Sequence, residues 1–169
     1  YRVDLNAPLT LHDARTGLEG AIWGVYKYKD RIYVSTGSGL DVLKEREKQA
    51  IGEKSAYFEK WGRLPLVWDM IPSDKDLIVA AQDKGVFEIR ERSKERISDW
   101  GFTYDLLASK DAQIVYAGTR TGLKGLVRRP ERWMSFAFEK VNGEIRSLAA
   151  EDSRTLWAST MGGDVIRIL

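Results

Sequence analysis

Residues Ile145–Leu169 read IRSLAAEDSRTLWASTMGGDVIRIL. This is an apolar run, a polar turn, a second apolar run ending in small residues, a tight glycine turn and a third apolar run. The same order of features occurs three times upstream: IWGVYKYKDRIYVSTGSGLDVLKE from Ile22, VWDMIPSDKDLIVAAQDKGVFEIRE from Val67 and FTYDLLASKDAQIVYAGTRTGLKGLVR from Phe102. The turn glycines Gly39, Gly85, Gly122 and Gly163 fall 46, 37 and 41 residues apart. A period near forty, with three apolar runs and an outer fourth segment in each unit, is the signature of blades set radially about an axis.

The second run of each unit is almost continuously apolar: Ile32–Val34, Leu77–Ala81, Ile114–Ala117 and Leu156–Ala158. A sheet wet on one face would alternate, whereas a strand covered on both faces need not. The reading is therefore all-β: a β-propeller of about four four-stranded antiparallel blades in one domain. The repeats fall at about 20–62, 63–100, 101–140 and 141–169, with 1–19 as an outer strand and loop. In the first blade the strands are expected at Ile22–Tyr28, Arg31–Thr36, Leu40–Lys44 and Ala56–Trp61. Thr36, Thr119 and Thr160 each begin a Thr-x-x-Gly turn whose last glycine supplies the positive φ a tight hairpin needs. Asp41–Ile51 carries good helix formers, which leaves room for one short helix around Glu45–Ile51.

The 169 residues suffice for one domain with a sizeable core, and 43% hydrophobic with 31% charged residues excludes a disordered chain. The net charge of +2 comes from interleaved acids and bases. It builds no one-sided basic footprint, so nucleic acid is not an expected partner. No Cys and a single histidine, His12, leave too few ligands for a Cys/His zinc site and exclude disulfides. No apolar run approaches the ~18 residues of a membrane helix, so this segment is not expected to insert directly into a membrane.

The last unit, with Ile145, Leu148, Glu151-Asp152 and Leu156-Trp157-Ala158-Ser159-Thr160 before Gly162-Gly163, resembles the two-component regulator propeller repeat. That motif runs roughly I-x-x-L-x-E-D-x-x-G-x-L-W-x-G-T-x-x-G-G. The first unit is similar, from Leu18-Glu19-Gly20 through Ile22-Trp23 to Tyr33-Val34-Ser35-Thr36 and Gly39. The chain departs from the motif at Arg154, where the repeat has Gly in the first turn, and at Ser35 and Ser159, where it has the Gly before Thr. The third unit also carries about two extra residues in its first turn, around Ser109–Ala112. The resemblance implies the extracytoplasmic, periplasmic sensor part of a bacterial receptor, upstream of a membrane span and an output domain. It also implies a ring of about seven blades, of which this chain supplies four. Tyr1–Leu5 is then an outer strand, either ending a preceding blade or closing the ring. Four blades out of seven would leave two apolar sheet faces bare, so other blades or copies of the same chain are expected partners.

No G-x-S-x-G, phosphate loop or calcium loop is present, and no cofactor is implied. His12 is expected in a solvated loop, as is the basic cluster Arg128–Trp133. Asp69, Asp105 and Glu144 fall near the innermost strands, where two of them could converge as a propeller glycosidase or lyase would need. Aligning the innermost strands brings Trp23, Trp68, Tyr104 and Arg146 to equivalent positions at one mouth of the central channel. Three aromatics and an arginine suit a small-molecule or glycan ligand; the competing role is to fill the wedge between blades. The leading reading is a non-catalytic sensor propeller, expected to have no converging carboxylates. A carbohydrate-active enzyme and a protein-interaction scaffold stand as the alternatives.

Overall fold

A computed structural model describes residues 10–47, 54–62, 64–73, 76–90 and 93–169. The Tyr1–Leu5 strand and the 48–51 part of the possible helix lie outside the described residues. After a single 3₁₀ turn at Ala14–Thr16, the described residues form strands joined by turns and loops. Blade 1 comprises β1 (Ile22–Tyr28), β2 (Arg31–Thr36), β3 (Gly39–Glu47) and β4 (Lys54–Lys60). Blade 2 comprises β5 (Val67–Ser73), β6 (Asp76–Ala81), β7 (Gly85–Arg90) and β8 (Ser93–Ser98). Blade 3 comprises β9 (Thr103–Ala108), β10 (Ile114–Thr119), β11 (Gly122–Arg128) and β12 (Trp133–Ala137). Blade 4 comprises β13 (Ile145–Ala150), β14 (Leu156–Thr160) and β15 (Val165–Ile168). Each blade is an antiparallel meander in chain order; the first three have four strands and the last has three among the described residues.

The helix formers after Asp41 are strand as far as Glu47, because β3 pairs with β4 in unbroken register from Asp41↔Lys60 to Glu47↔Lys54. Ladder pairing outweighs a weak local preference for helix. The turn glycines Gly39, Gly85, Gly122 and Gly163 all adopt positive φ. At three of them a second demand applies: a Cβ on Gly39, Gly85 or Gly122 would collide with the carbonyl of Leu64, Ser98 or Val141. The linker to the next blade thus presses on the glycine, and only hydrogen fits between them. In two Thr-x-x-Gly turns the threonine hydroxyl donates to the glycine carbonyl, Thr36 to Gly39 at 3.2 Å and Thr119 to Gly122 at 2.7 Å.

The blades stack in sequence, with β1 against β5, β5 against β9 and β9 against β13. β6 is buried at all six positions, as the continuous apolar run required. One face of each blade meets its successor: Tyr33, Leu40 and Val42 of blade 1 pack on Val67, Met70 and Val79 of blade 2. Ile78 and Val86 of blade 2 pack on Leu106, Val115 and Ala117 of blade 3. Tyr116 and Leu123 of blade 3 pack on Ile145, Leu148 and Ala158 of blade 4.

Two loop expectations are corrected. His12 is not a solvated loop residue: its ring meets Phe58 edge-on at 5.3 Å, beside Leu18, which is buried with Val34 and Phe58. In the Arg128–Trp133 cluster, the ends turn inward. Arg128 reaches Asp76 at 3.1 Å and Glu88 at 3.1 Å, and Trp133 Nε1–H donates to Glu88 at 3.1 Å. Glu88 is buried and needs those partners, so the cluster ties blade 3 to blade 2 at the outer rim. Among the described residues no helix is long and apolar enough to cross a membrane.

Candidate functional site

Each innermost strand skips one residue in its pairing with the next strand. Register shifts fall between Ile22 and Gly24, Val67 and Asp69, and Ile145 and Ser147, and Thr103 and Asp105 pair while Tyr104 does not. The extra residue of each β-bulge is Trp23, Trp68, Tyr104 or Arg146. A bulge re-aims its side chain out of the alternation of the strand, and all four are displaced in the same way. The sequence alignment of these residues therefore has a backbone cause.

The four side chains form a ladder across the blades. The Trp23 and Trp68 rings lie 4.9 Å apart, and Trp68 meets Tyr104 at 5.7 Å. The Arg146 guanidinium sits 4.0 Å from the Tyr104 ring centroid, a close cation–π contact. Glu144 holds the same guanidinium at 2.5 Å. Burial raises the Tyr104 phenol, and the Glu144 carboxylate adds to the effect. Trp23 ends the ladder with 47% of its surface exposed. The Trp68 indole N–H is buried with no acceptor among the described residues.

Two further members were not anticipated. Phe102 packs on Tyr104 at 6.3 Å, and Arg120 lies over Phe102 at 5.4 Å. Phe102 precedes its strand by one residue, whereas the other units begin on the strand residue itself; that one-residue offset concealed it. Arg120 sits inside a hairpin turn, where sequence gives no hint of direction.

The carboxylates behave differently from the expectation that none would converge. Asp69 and Asp105 do come together, at the residue following each bulge. Asp69 Oδ2 accepts the Leu106 N–H of blade 3 at 2.8 Å, and its Oδ1 accepts the Tyr26 hydroxyl at 3.0 Å and its neighbouring Met70 N–H at 2.7 Å. Asp105 accepts the Leu148 N–H of blade 4 at 2.5 Å. Each aspartate thus pins its blade to the next through a main-chain donor. Burial, reinforced by the nearby Asp69 charge, pushes Asp105 up to about 7. Blade 1 has Gly24 in this place, and the Tyr26 hydroxyl fills the space a Cβ would occupy.

No protein-family model matches the sequence, and no curated protein does. Solved structures do. The computationally designed Ika4 protein aligns over 89% of this chain and 92% of its own, at TM-score 0.62 and 15% identity. The extracellular domain of the putative one component system BT4673 from B. thetaiotaomicron aligns over 89% of this chain at TM-score 0.65 and 12% identity. This chain spans only 20% of that one. The β-propeller domain of Myceliophteria thermophila Cps50 (Swd1) aligns over 90% of this chain and 61% of its own, at TM-score 0.55 and 9% identity. What is shared at these identities is the fold. The chain is a partial β-propeller of four blades.

Proposed function

We propose that this chain is a non-catalytic sensor propeller of a bacterial signal-transduction receptor, lying outside the cytoplasm and binding a small-molecule or glycan ligand at the channel mouth. The observation that carries the reading is the bulge-built ladder Trp23–Trp68–Tyr104–Arg146. Four successive strands use the same backbone irregularity to set aromatic and cationic groups along one rim. The exposed indole face of Trp23 is the kind of surface on which a sugar or planar solute stacks. The likeness to an extracellular domain of a putative one component system supports the receptor role, as does the resemblance of the repeat.

The converging aspartates favour this reading over glycan cleavage. Their oxygens are engaged by main-chain and phenol donors between blades, so their geometry serves blade docking. A thermal-shift screen with oligosaccharides, peptides and small metabolites tests the proposal. Binding that is lost in Trp23→Ala with Trp68→Ala, without turnover of the ligand, is the expected result. Glycan cleavage that disappears in Asp105→Asn would replace the sensor reading with an enzyme. The bare faces of blades 1 and 4 take up further blades of the same kind, from the same polypeptide or a second copy.

A further inference from the structure

The two loops that depart from the repeat meet at one place. The first turn of blade 3 is lengthened around Ser109–Ala112, and that of blade 4 carries Arg154 where the repeat has glycine. Both turns line a cleft of about 420 Å³ between blades 3 and 4. Tyr116 and Leu156 contribute apolar surface, and Ser109, Lys110, Ser153 and Arg154 contribute polar groups. An adjoining lobe of about 450 Å³ extends it towards Asp111 and Ile114. The cleft is separate from the channel mouth: Tyr104 is the second residue of β9 and Ala108 its last, roughly 13 Å further along the strand.

The apolar lining belongs to the repeat, and cations at the first turn recur as well, since Lys29 and Arg31 line the corresponding cleft between blades 1 and 2. Between blades 1 and 2 a smaller cleft of about 280 Å³ has Tyr33 and Leu77 in the places of Tyr116 and Leu156. There Arg90 is already committed to Glu88 at 2.7 Å. Between blades 3 and 4, neither the Lys110 ammonium nor the Arg154 guanidinium has a hydrogen-bond or ion-pair partner among the described residues. The nearby carboxylates are engaged in holding the turns. Asp152 Oδ1 accepts the N–H groups of Arg154 and Thr155 at 2.7 and 2.8 Å. Asp111 Oδ1 accepts the Ser109 hydroxyl and the Gln113 N–H at 2.6 and 3.1 Å. Those bonds hold both carboxyls below their usual range, so each stays an anion fixed to its own loop.

We infer that this cleft is a second binding site, for a small organic carboxylate with a flat apolar body. The body lies against Tyr116 and Leu156. The carboxylate takes the Arg154 fork, with Lys110 as the second cation and Ser153 as a hydroxyl donor. The volume is within the range of small-ligand pockets. Formal charge in the cleft balances, so selection comes from donor placement and not from bulk attraction.

The test is titration of the ¹⁵N-labelled chain with phenylacetate, benzoate and indole-3-acetate, alongside neutral 2-phenylethanol. Saturable shifts at Lys110, Ser153 and Arg154, with 2-phenylethanol ~10-fold weaker, are expected. Arg154→Ala and Lys110→Ala, both on exposed turns, should each weaken binding by ~10-fold. Lys29→Ala at the blade 1–2 cleft and Trp23→Ala at the mouth should leave it unchanged. No saturable binding by any of the three acids, or equal affinity in Arg154→Ala, overturns the site. Shifts confined to Trp23, Trp68 and Tyr104 would move the acid to the channel mouth and overturn it equally.

Discussion

The interior interfaces and the two end faces of this arc are built from the same strand positions, yet they lie in opposite environments. The fourth residue of each innermost strand faces the preceding blade. Met70, Leu106 and Leu148 are 1%, 4% and 9% exposed, whereas Val25, their equivalent in blade 1, is 65% exposed. The residue three places before the end of each second strand is the one on the side of the following blade. Tyr33 and Ile78 are buried and Tyr116 half-buried, while Trp157 of blade 4 stands exposed beside Val165. An identical place in the repeat is core in one blade and surface in the next, and the sole difference is whether a neighbouring sheet is present. Burial is here a property of stacking, and the same apolar positions stay exposed at both ends.

The largest effect should come from splitting that equivalence. Leu106→Ala removes buried packing between blades 2 and 3 and should cost ~2–5 kcal/mol in denaturant unfolding. Val25→Ala, at the same place on an open face, should stay within ~0.5 kcal/mol. Equal losses would mean that the end face of blade 1 is not open in solution. A smaller contrast concerns ion pairs in the third strands. Glu88 is buried between Arg90, Arg128 and Trp133, whereas Arg167, its equivalent in blade 4, pairs with Glu151 in the open at 3.1 Å. Because the arginines remain partly in water, Glu88→Ala should cost ~1–3 kcal/mol. Arg167→Ala should leave the midpoint of denaturation where it is.

Next comes pH. Burial raises the folded-state value of Asp105 from 3.8 to about 7. The folded chain therefore holds a proton that the unfolded chain releases. That contribution to stability is complete below about pH 4 and disappears as pH rises through about 7. Urea midpoints should fall between pH 5 and pH 8, and Asp105→Asn, which keeps an acceptor for the Leu148 N–H, should flatten the dependence. A variant with the wild-type slope would assign the titration elsewhere. The smallest effect concerns the end faces. Sedimentation should show concentration-dependent association of the isolated chain, reduced by Val25→Asp together with Val165→Asp. A monomer at every concentration would refute the bare-face argument.

How far the site could be read from the chain differs residue by residue. Trp23, Trp68, Tyr104 and Arg146 could be aligned because a bulge at one fixed place in each strand leaves a period in the sequence. Phe102 escaped because it sits one residue ahead of that period, and Arg120 because it belongs to a turn. The Asp69 and Asp105 pins were visible as carboxylates near the inner strands. Their partners, main-chain N–H groups 37 and 43 residues away, have no sequence signature.

The sequence alone determined the blade. Apolar runs at a forty-residue period, turn glycines that must take positive φ, and middle strands without alternation are local or periodic requirements written into residue types. Tertiary structure alone decided what lies between blades. Which carboxylate meets which amide, that Arg146 covers Tyr104, and that Lys110 and Arg154 share one cleft depend on how rigid sheets stack. Those distances join residues far apart in the chain, and no neighbouring residue in the sequence encodes them.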